Sequence, residues 1–541
     1  MDLDITEKVQ KYETKIEEKK PPSVVDLDFI KYRFSTGKFI LIYISIVLSL
    51  VMANLDTTII STALSKINSE FHAYDSFTWV ITVYMLTNTA IQPLCGKFAD
   101  IFGCRTLMIF ILIIFTAASF LCGIAPNIGV LIVGRALQGI GSGGIAALAF
   151  IIIADITSLR KRGIYMGVNG AIYAVTSVIG PLLGGFFTDQ LTWRWSFFIN
   201  LPIGIICIIF FVLYFKIPTE KSSFIEKFKR IDFLGTFTLI ACLVVALLGL
   251  NWGGAKYSWK SPTIITLFIV SFALLIFYII IEFKFAKEPI TPPVLFKYRN
   301  ITASSVTNFL EGIIFLNVIN TLPLLYQDGR LFSATYSGLR LVPISVFLTI
   351  SSMGTGYLIG KWGHIDIYIK LGCFFSIIAV YLISLIGIDT QYYIEFLIFI
   401  IYGLSCGVIY QNCIMVAQRA SPTEYLSIST TITSFFNYIG GAIGVTVYGA
   451  ILQNIFPKYY RDHNPNYRSV TVNDVHDIPD GNRIYVDAIQ TTYLYSIFPV
   501  TILLFISSLF IQNIKESKSN KKDTKNNQEN ITVNISIPKD D

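Results

Sequence analysis

The chain is 541 residues long, and 53% of them are hydrophobic while only 14% are charged. That balance excludes an ordinary soluble domain and points to a polytopic membrane protein. The net charge of +7 would suit a nucleic-acid or anionic-lipid partner, but the basic residues are spread in a way that reports membrane topology instead, and no nucleic-acid partner is expected.

Residues 1–38 mix Lys, Glu, Asp and Pro without apolar periodicity, which predicts a disordered tail. Apolar runs then recur at about 39–62, 78–98, 106–124, 128–153, 164–187, 196–215, 233–251, 262–282, 302–325, 336–359, 369–387, 392–416, 428–452 and 489–512. Each is long enough to span a bilayer core about 30 Å thick, so 14 transmembrane helices are expected. With the N-terminus in the cytosol, the interior segments hold 31 of the 42 Lys and Arg, the exterior segments 10, and Arg135 lies inside a helix. The positive-inside rule then places both termini in the cytosol. The polar tail 514–541 is expected to be disordered.

The fourth run is the least ordinary. LIVGRALQGIGSGG (Leu131 to Gly144) puts Arg135 in mid-membrane, where a charge costs about 2.5 to 3.5 kcal/mol on insertion scales. Gln138, Gly139 and Ser142 share its helical face, and that face must meet water, a counter-charge or a ligand. Gly139, Gly141 and Gly144 match a dinucleotide fingerprint formally, but within an apolar helix they read as close-packing residues. Asp56, beside Asn54, Thr57 and Thr58, is a second buried charge, and Glu311, near Asn308, is a third. Asp56 with Arg135 is the leading proton-coupling pair, a static ion pair being the other reading; Glu311 is a cation or second proton site, or lines a wet cavity. Asn54, Thr58, Gln138, Ser142 and Asn308 are the expected substrate-cavity residues.

The remaining residues narrow the chemistry. Eight scattered cysteines imply neither disulfides nor a metal site, and His72, His364, His463 and His476 all fall in or near loops. No P-loop, catalytic constellation or cofactor motif is found, so an enzyme is not expected, and a proton gradient is the expected driving force. Glu220 to Arg230 reads as a solvated linker or a basic amphipathic helix. The loop 453–488 is expected to be long and exterior, and the sequons at Asn300, Asn530 and Asn534 to be cytosolic. Trp193, Arg194 and Trp195 suit an interfacial belt.

Four stretches in order carry a resemblance: LDTTIISTAL (Leu55 to Leu64), GKFADIFGCR (Gly96 to Arg105), RALQGIGSGG (Arg135 to Gly144), and IGPLLGG (Ile179 to Gly185) followed by WRWSFFINLPIG (Trp193 to Gly204). They resemble the major facilitator superfamily, specifically its fungal fourteen-helix drug:proton antiporter branch. The second half is similar mainly in helix count, in LPLLYQ (Leu322 to Gln327) and in the glycines of IGGAIG (Ile439 to Gly444). The resemblance implies an all-α major facilitator fold, with a six-helix bundle over 39–215, a linker and two inserted helices over 216–283, and a second bundle over 284–513. It implies conformational gating by Gly96, Asp100, Gly103 and Arg105 as a latch, and by Gly180, Pro181, Gly184 and Gly185 as a hinge-like contact. Ser65 stands where the helix 1 signature usually has Pro, and Gly360 stands in the second-half loop GYLIGKWG where the first has Asp100.

The expected function is proton-coupled export of small organic compounds or drugs by alternating access, from a monomer in the plasma membrane. Vacuolar import of basic amino acids is the alternative, and a non-transporting solute sensor the alternative of another class.

Overall fold

The computed structural model describes residues 31–71, 79–216, 226–227, 230–254, 257–286, 288–463, 472, 475 and 478–513. The expected tails, His72, His476, the sequons at Asn530 and Asn534 and most of the 220–230 stretch lie outside the described residues, apart from 31–38 of the N-terminal tail and Asn513. Long helices fill the rest: α1 (Thr36–Phe71), α2 (Trp79–Phe102), α3 (Cys104–Gly123), α4 (Ile128–Ile156), α5 (Leu159–Gln190), α6 (Trp195–Tyr214), α7 (Phe233–Trp252), α8 (Pro262–Phe285), α9 (Arg299–Gly329), α10 (Ala334–Trp362), α11 (Ile365–Ile383), α12 (Tyr392–Ala420), α13 (Leu426–His463) and α14 (Gly481–Ser508). Twelve of them are long and apolar enough to cross a membrane; α2 and α5 are the two outside that set. The protein is an integral membrane protein, as its run of apolar helices requires.

Two ends depart from the expected spans. α13 continues to His463 and α14 begins at Gly481, so the expected exterior loop 453–488 is largely helical at both margins. Polar residues hide these turns from a hydropathy reading; packing of Phe456 and Tyr460 against Tyr485 and Val475 in one apolar cluster holds them.

The helices gather into two bundles. α1 packs on α4, α5 and α6, and α4 sits between α2 and α3; in the second half α9 packs on α12, α13 and α14, and α12 on α10 and α11. The bundles meet through α2 on α13 and α5 on α10. α7 and α8 pair with each other and lean on α2 and α13.

The chain's described ends, near Lys31 and Asn513, lie on what is here termed the tail side. There the bundles approach closely: Gly163 of α5 lies against Gly356 of α10, and a Cβ on Gly163 would stand 2.5 Å from Gly356 Cα. Arg162 Nη1 donates to Gln418 Oε1 of α12 at 3.0 Å, and Phe150 of α4 meets Tyr410 of α12 edge-on. Lys31 pairs with Asp155 at the end of α4 at 3.4 Å.

Candidate functional site

α4 can thread between its neighbours because its glycines face both. A Cβ on Gly139 or Gly143 would collide with the backbone of Tyr84 or Asn88 on α2, and one on Gly141 or Gly144 with Phe115 or Ile111 on α3. The glycine run is therefore a packing device. It carries Arg135 into the interior, where Asp56 of α1 meets it; each is 1% exposed.

Arg135 Nη1 donates to Asp56 Oδ2 at 2.6 Å and to Gln138 Oε1 at 2.9 Å, while Nε donates to Val80 O at 3.1 Å. The guanidinium lies 4.1 Å from the Tyr84 ring centre, and the Tyr84 hydroxyl donates to Ala53 O. Asp56 Oδ1 accepts from Gln138 Nε2 at 3.0 Å and from Asn200 Nδ2 at 3.1 Å. Gln138 Nε2 also donates to Ser119 Oγ at 2.8 Å. Both carboxylate oxygens and the guanidinium are thus engaged, the condition under which a buried ion pair repays its desolvation.

Gln138, expected as a cavity residue, bonds both partners of the ion pair and Ser119. Ser142 accepts from Asn88 Nδ2 at 3.0 Å. Asn54 donates to Leu50 O within its own helix, and the Thr58 hydroxyl reaches Thr176 O on α5 at 3.0 Å. Asn200, Ser119 and Tyr84 were not singled out by the sequence reading. Asn200 had a signal, as the one amide within the apolar stretch SFFINLPIG; Ser119 and Tyr84 had none beyond being polar atoms in apolar helices.

Glu311 of α9 is equally buried, at 1% exposure, yet among the described residues no cation, amide or hydroxyl reaches either carboxylate oxygen, and the partner it does have is the weakly donating Cys406 thiol. Cys373, Tyr402, Cys406 and Cys413 stand around it, and the Cys406 thiol is shared between Glu311 and the Tyr402 hydroxyl. Asn308 donates to Thr433 O of α13 at 3.0 Å, so it ties helices and leaves Glu311 alone.

At the tail-side end of α2, a Cβ on Gly96 would run into Thr431 of α13, with Ser427 O at 3.1 Å. Asp100 reaches Ser427 in the first turn of α13, so it meets a helix N-terminus, where a carboxylate is favoured. The nearby cations do not pair with it: Lys97 Nζ binds Glu288 Oε2 at 2.7 Å, and Arg105 Nη2 donates to Val212 O at 2.8 Å. Gly103 has a φ of 85° and turns the chain from α2 into α3, a conformation that glycine adopts without strain. Its second-half counterpart is Gly363, at 72°. On α5, a Cβ on Gly180 would collide with Thr58 of α1, whereas Gly185 has open space. Gly184 is buried, and the side chain of Pro181 lies outside the described residues.

On the opposite side each bundle has a second charged knot, partly exposed in the first bundle and buried in the second. Glu70 of α1 accepts from Trp193 Nε1 at 2.6 Å and pairs with Arg194 at 2.9 Å. Trp193 is buried, which corrects its expected place in a lipid-facing belt; Trp195, half exposed, keeps it. In the second bundle, fully buried Glu395 of α12 pairs with Arg330 at 2.5 Å and Arg340 at 3.0 Å and accepts from the Tyr326 hydroxyl at 2.8 Å. The sequence reading missed this cluster because Glu395 lies 55 to 69 positions from its partners.

Two helical bundles in crossed contact each carry a buried carboxylate. The sequence profile of the Major Facilitator Superfamily matches residues 46–445, and the chain belongs to that family. It is 36% identical over 418 residues to the multidrug transporter protein MdtP of Bacillus subtilis (77% of this chain, 76% of that one). It is 34% identical over 441 residues to the MFS-type efflux pump MFS1 of Trichophyton rubrum (81% and 82%), and 33% identical over 422 residues to the efflux pump dotC of Dothistroma septosporum (77% and 72%). The crystal structure of the human organic anion transporter MFSD10 shares its fold, with a TM-score of 0.60 at 14% identity over 88% of this chain and all of that one.

Proposed function

We propose that this transporter is a proton-coupled antiporter that exports small organic compounds, drugs among them, through alternating access of two six-helix bundles (39–215 and 284–513). The inserted pair lies in 216–283, and α2 and α5 cross the membrane with the other twelve helices to make 14 spans. The excess of Lys and Arg on the tail side supports a cytosolic placement for both termini. The plasma membrane is the proposed site and a monomer the proposed state, with no bound cofactor. The efflux pumps among its relatives support the direction.

The observation that carries the coupling is the unequal treatment of two buried carboxylates. Asp56 holds three donors, a cation among them, whereas Glu311 has only the weak Cys406 thiol and no cation among the described residues. A charged carboxylate buried without a cation costs several kcal/mol, which a proton or a substrate cation at Glu311 would each relieve; the two would therefore compete. Protonation of Asp56 would weaken its hold on Arg135 and free the first bundle to rearrange. The tail-side contacts of Gly96, Asp100, Gly163 and Gly356 match an outward-facing state with the cytosolic side shut, and Gly180, Pro181, Gly184 and Gly185 would let α5 move on α1. Asn54, Thr58, Ser142 and Asn308 would border the path. One proton crossing about 100 mV supplies roughly 2.3 kcal/mol and one pH unit about 1.4 kcal/mol, together sustaining a gradient of a few hundred-fold.

Glu311 also supports a second reading, antiport of basic amino acids into a vacuole, since an unpaired carboxylate suits a cationic substrate. Proteoliposomes with an imposed pH gradient separate the readings. Gradient-driven flux of lipophilic cations, lost in Asp56→Asn and Glu311→Gln, is the expected result. Flux of Lys, Arg or His instead would select the amino-acid reading. Binding without flux would overturn transport in favour of a sensor, and flux indifferent to both substitutions would remove the proposed coupling residues.

A further inference from the structure

The α7–α8 hairpin is used by nothing described so far. It leans on the first bundle at one end, where Trp79 meets Trp252 edge-on at 5.8 Å. Toward the tail side it packs on the second bundle, with Leu239 and Leu243 in one cluster with Phe435 and Ile439 of α13. Toward the opposite side a cleft of about 480 Å³ opens between hairpin and α13, lined by Leu250, Trp259, Phe268, Val447, Ile451 and Ile455 among others.

This cleft is shaped by specific residues. The hairpin turns at Gly253 and Gly254, the latter at a φ of 78°, and the Trp259 indole lies on the turn. A Cβ on Gly253 would stand 2.5 Å from the ring, and one on Gly254 2.7 Å from Trp259 Nε1. Phe268 stacks on the indole at 6.4 Å with an interplanar angle of 10°. The indole N–H is buried and has no hydrogen-bond partner among the described residues. A buried donor left unpaired costs about 1 to 3 kcal/mol. Gln453 Oε1 stands at the same turn and Asn454 lines the cleft, yet no acceptor among the described residues bonds the indole N–H.

The surroundings decide what supplies it. Ile265, Ile269 and Phe272 of α8 and Val447 of α13 are largely exposed, forming an apolar surface that only a bilayer covers. Tryptophan at the end of a span lies at the level of lipid headgroups and esters. We propose that the cleft holds one acyl tail of a bilayer phospholipid, with the ester oxygen accepting the Trp259 N–H. Such a lipid would wedge between the hairpin and α13, joining a hairpin attached to the first bundle to a helix of the second. The inference is independent of proton coupling and of the transported substrate.

Native mass spectrometry of the full chain, purified with phospholipid and washed with rising detergent, tests it. Wild type is expected to keep one phospholipid after the rest are stripped. Ile451→Trp, which fills the cleft, should lose that lipid. Trp259→Phe, which removes the N–H and keeps an aromatic ring, should release it at a lower detergent concentration. Ile269→Trp, on the open face of α8, should behave as wild type. Equal retention in all four proteins would overturn the proposal. So would loss caused equally by Ile269→Trp, or a retained mass that is detergent and is not displaced by added phospholipid. If Ile451→Trp fails to fold, the comparison of Trp259→Phe with wild type decides alone.

Discussion

Two carboxylates with the same burial meet different fates in the two bundles. Asp56 accepts from Arg135, Gln138 and Asn200, and its guanidinium partner is itself held by Val80 O and the Tyr84 ring. Glu311 sits among cysteines and a tyrosine, with the weak Cys406 thiol as its donor and no cation among the described residues. The first arrangement is a completed network, in which removing any member strands another. The second is an incomplete one that a proton or a cation would finish. Burial alone therefore does not say what a membrane carboxylate does; the count of donors around it does.

The comparison is broken most forcefully at Arg135. Arg135→Leu leaves Asp56 buried without its cation, so a loss of about 3 to 5 kcal/mol is expected, read as a large fall in the thermal unfolding midpoint in detergent. Adding Asp56→Leu should return much of it; no recovery would mean that the pair is not a closed unit. Asn200→Leu removes one of three donors to Asp56, and hydrogen bonds to charged groups carry about 1.5 to 3 kcal/mol. A midpoint equal to wild type would show that Gln138 and Arg135 suffice.

Glu311→Gln should act in the opposite sense. With only the weak Cys406 thiol to strand, its effect on stability should be under about 1 kcal/mol and neutral to favourable, while gradient-driven flux falls at least tenfold. A clear loss of stability would reveal a stronger donor to Glu311 and erase the contrast between the bundles. The smallest effect belongs to Glu288, outside the spans. Burial alone would push its carboxyl up, but hydrogen bonds from Arg230 and Lys97 outweigh that and hold it below its ordinary value of 4.5. A lowered carboxyl stabilises the fold above its unfolded value, and that contribution fades as pH falls through the lower folded value. Since Glu288 and Arg230 are each about one-third exposed, solvent screening keeps it under about 1 kcal/mol. Melting at pH 7 and pH 4 should show a smaller acid-induced drop in Glu288→Gln than in wild type, and equal drops would remove Glu288 as a contributor.

The sequence by itself determined the helix order, the sites of buried charge and the meeting of Asp56 with Arg135. A charge in an apolar run is costly enough to demand a partner, and only a few are available. It also marked Gly96 and Asp100 as a contact point, now seen against the first turn of α13. Only the tertiary structure decided who completes each network. Helical periodicity says which residues share a face, but not which face of another helix arrives there. So Gln138 went to the ion pair rather than an open cavity, Lys97 to Glu288 rather than Asp100, and Trp193 to Glu70 rather than lipid. The Arg330–Glu395–Arg340 triad and the isolation of Glu311 come from three-dimensional neighbours far apart in the chain, which no local pattern encodes.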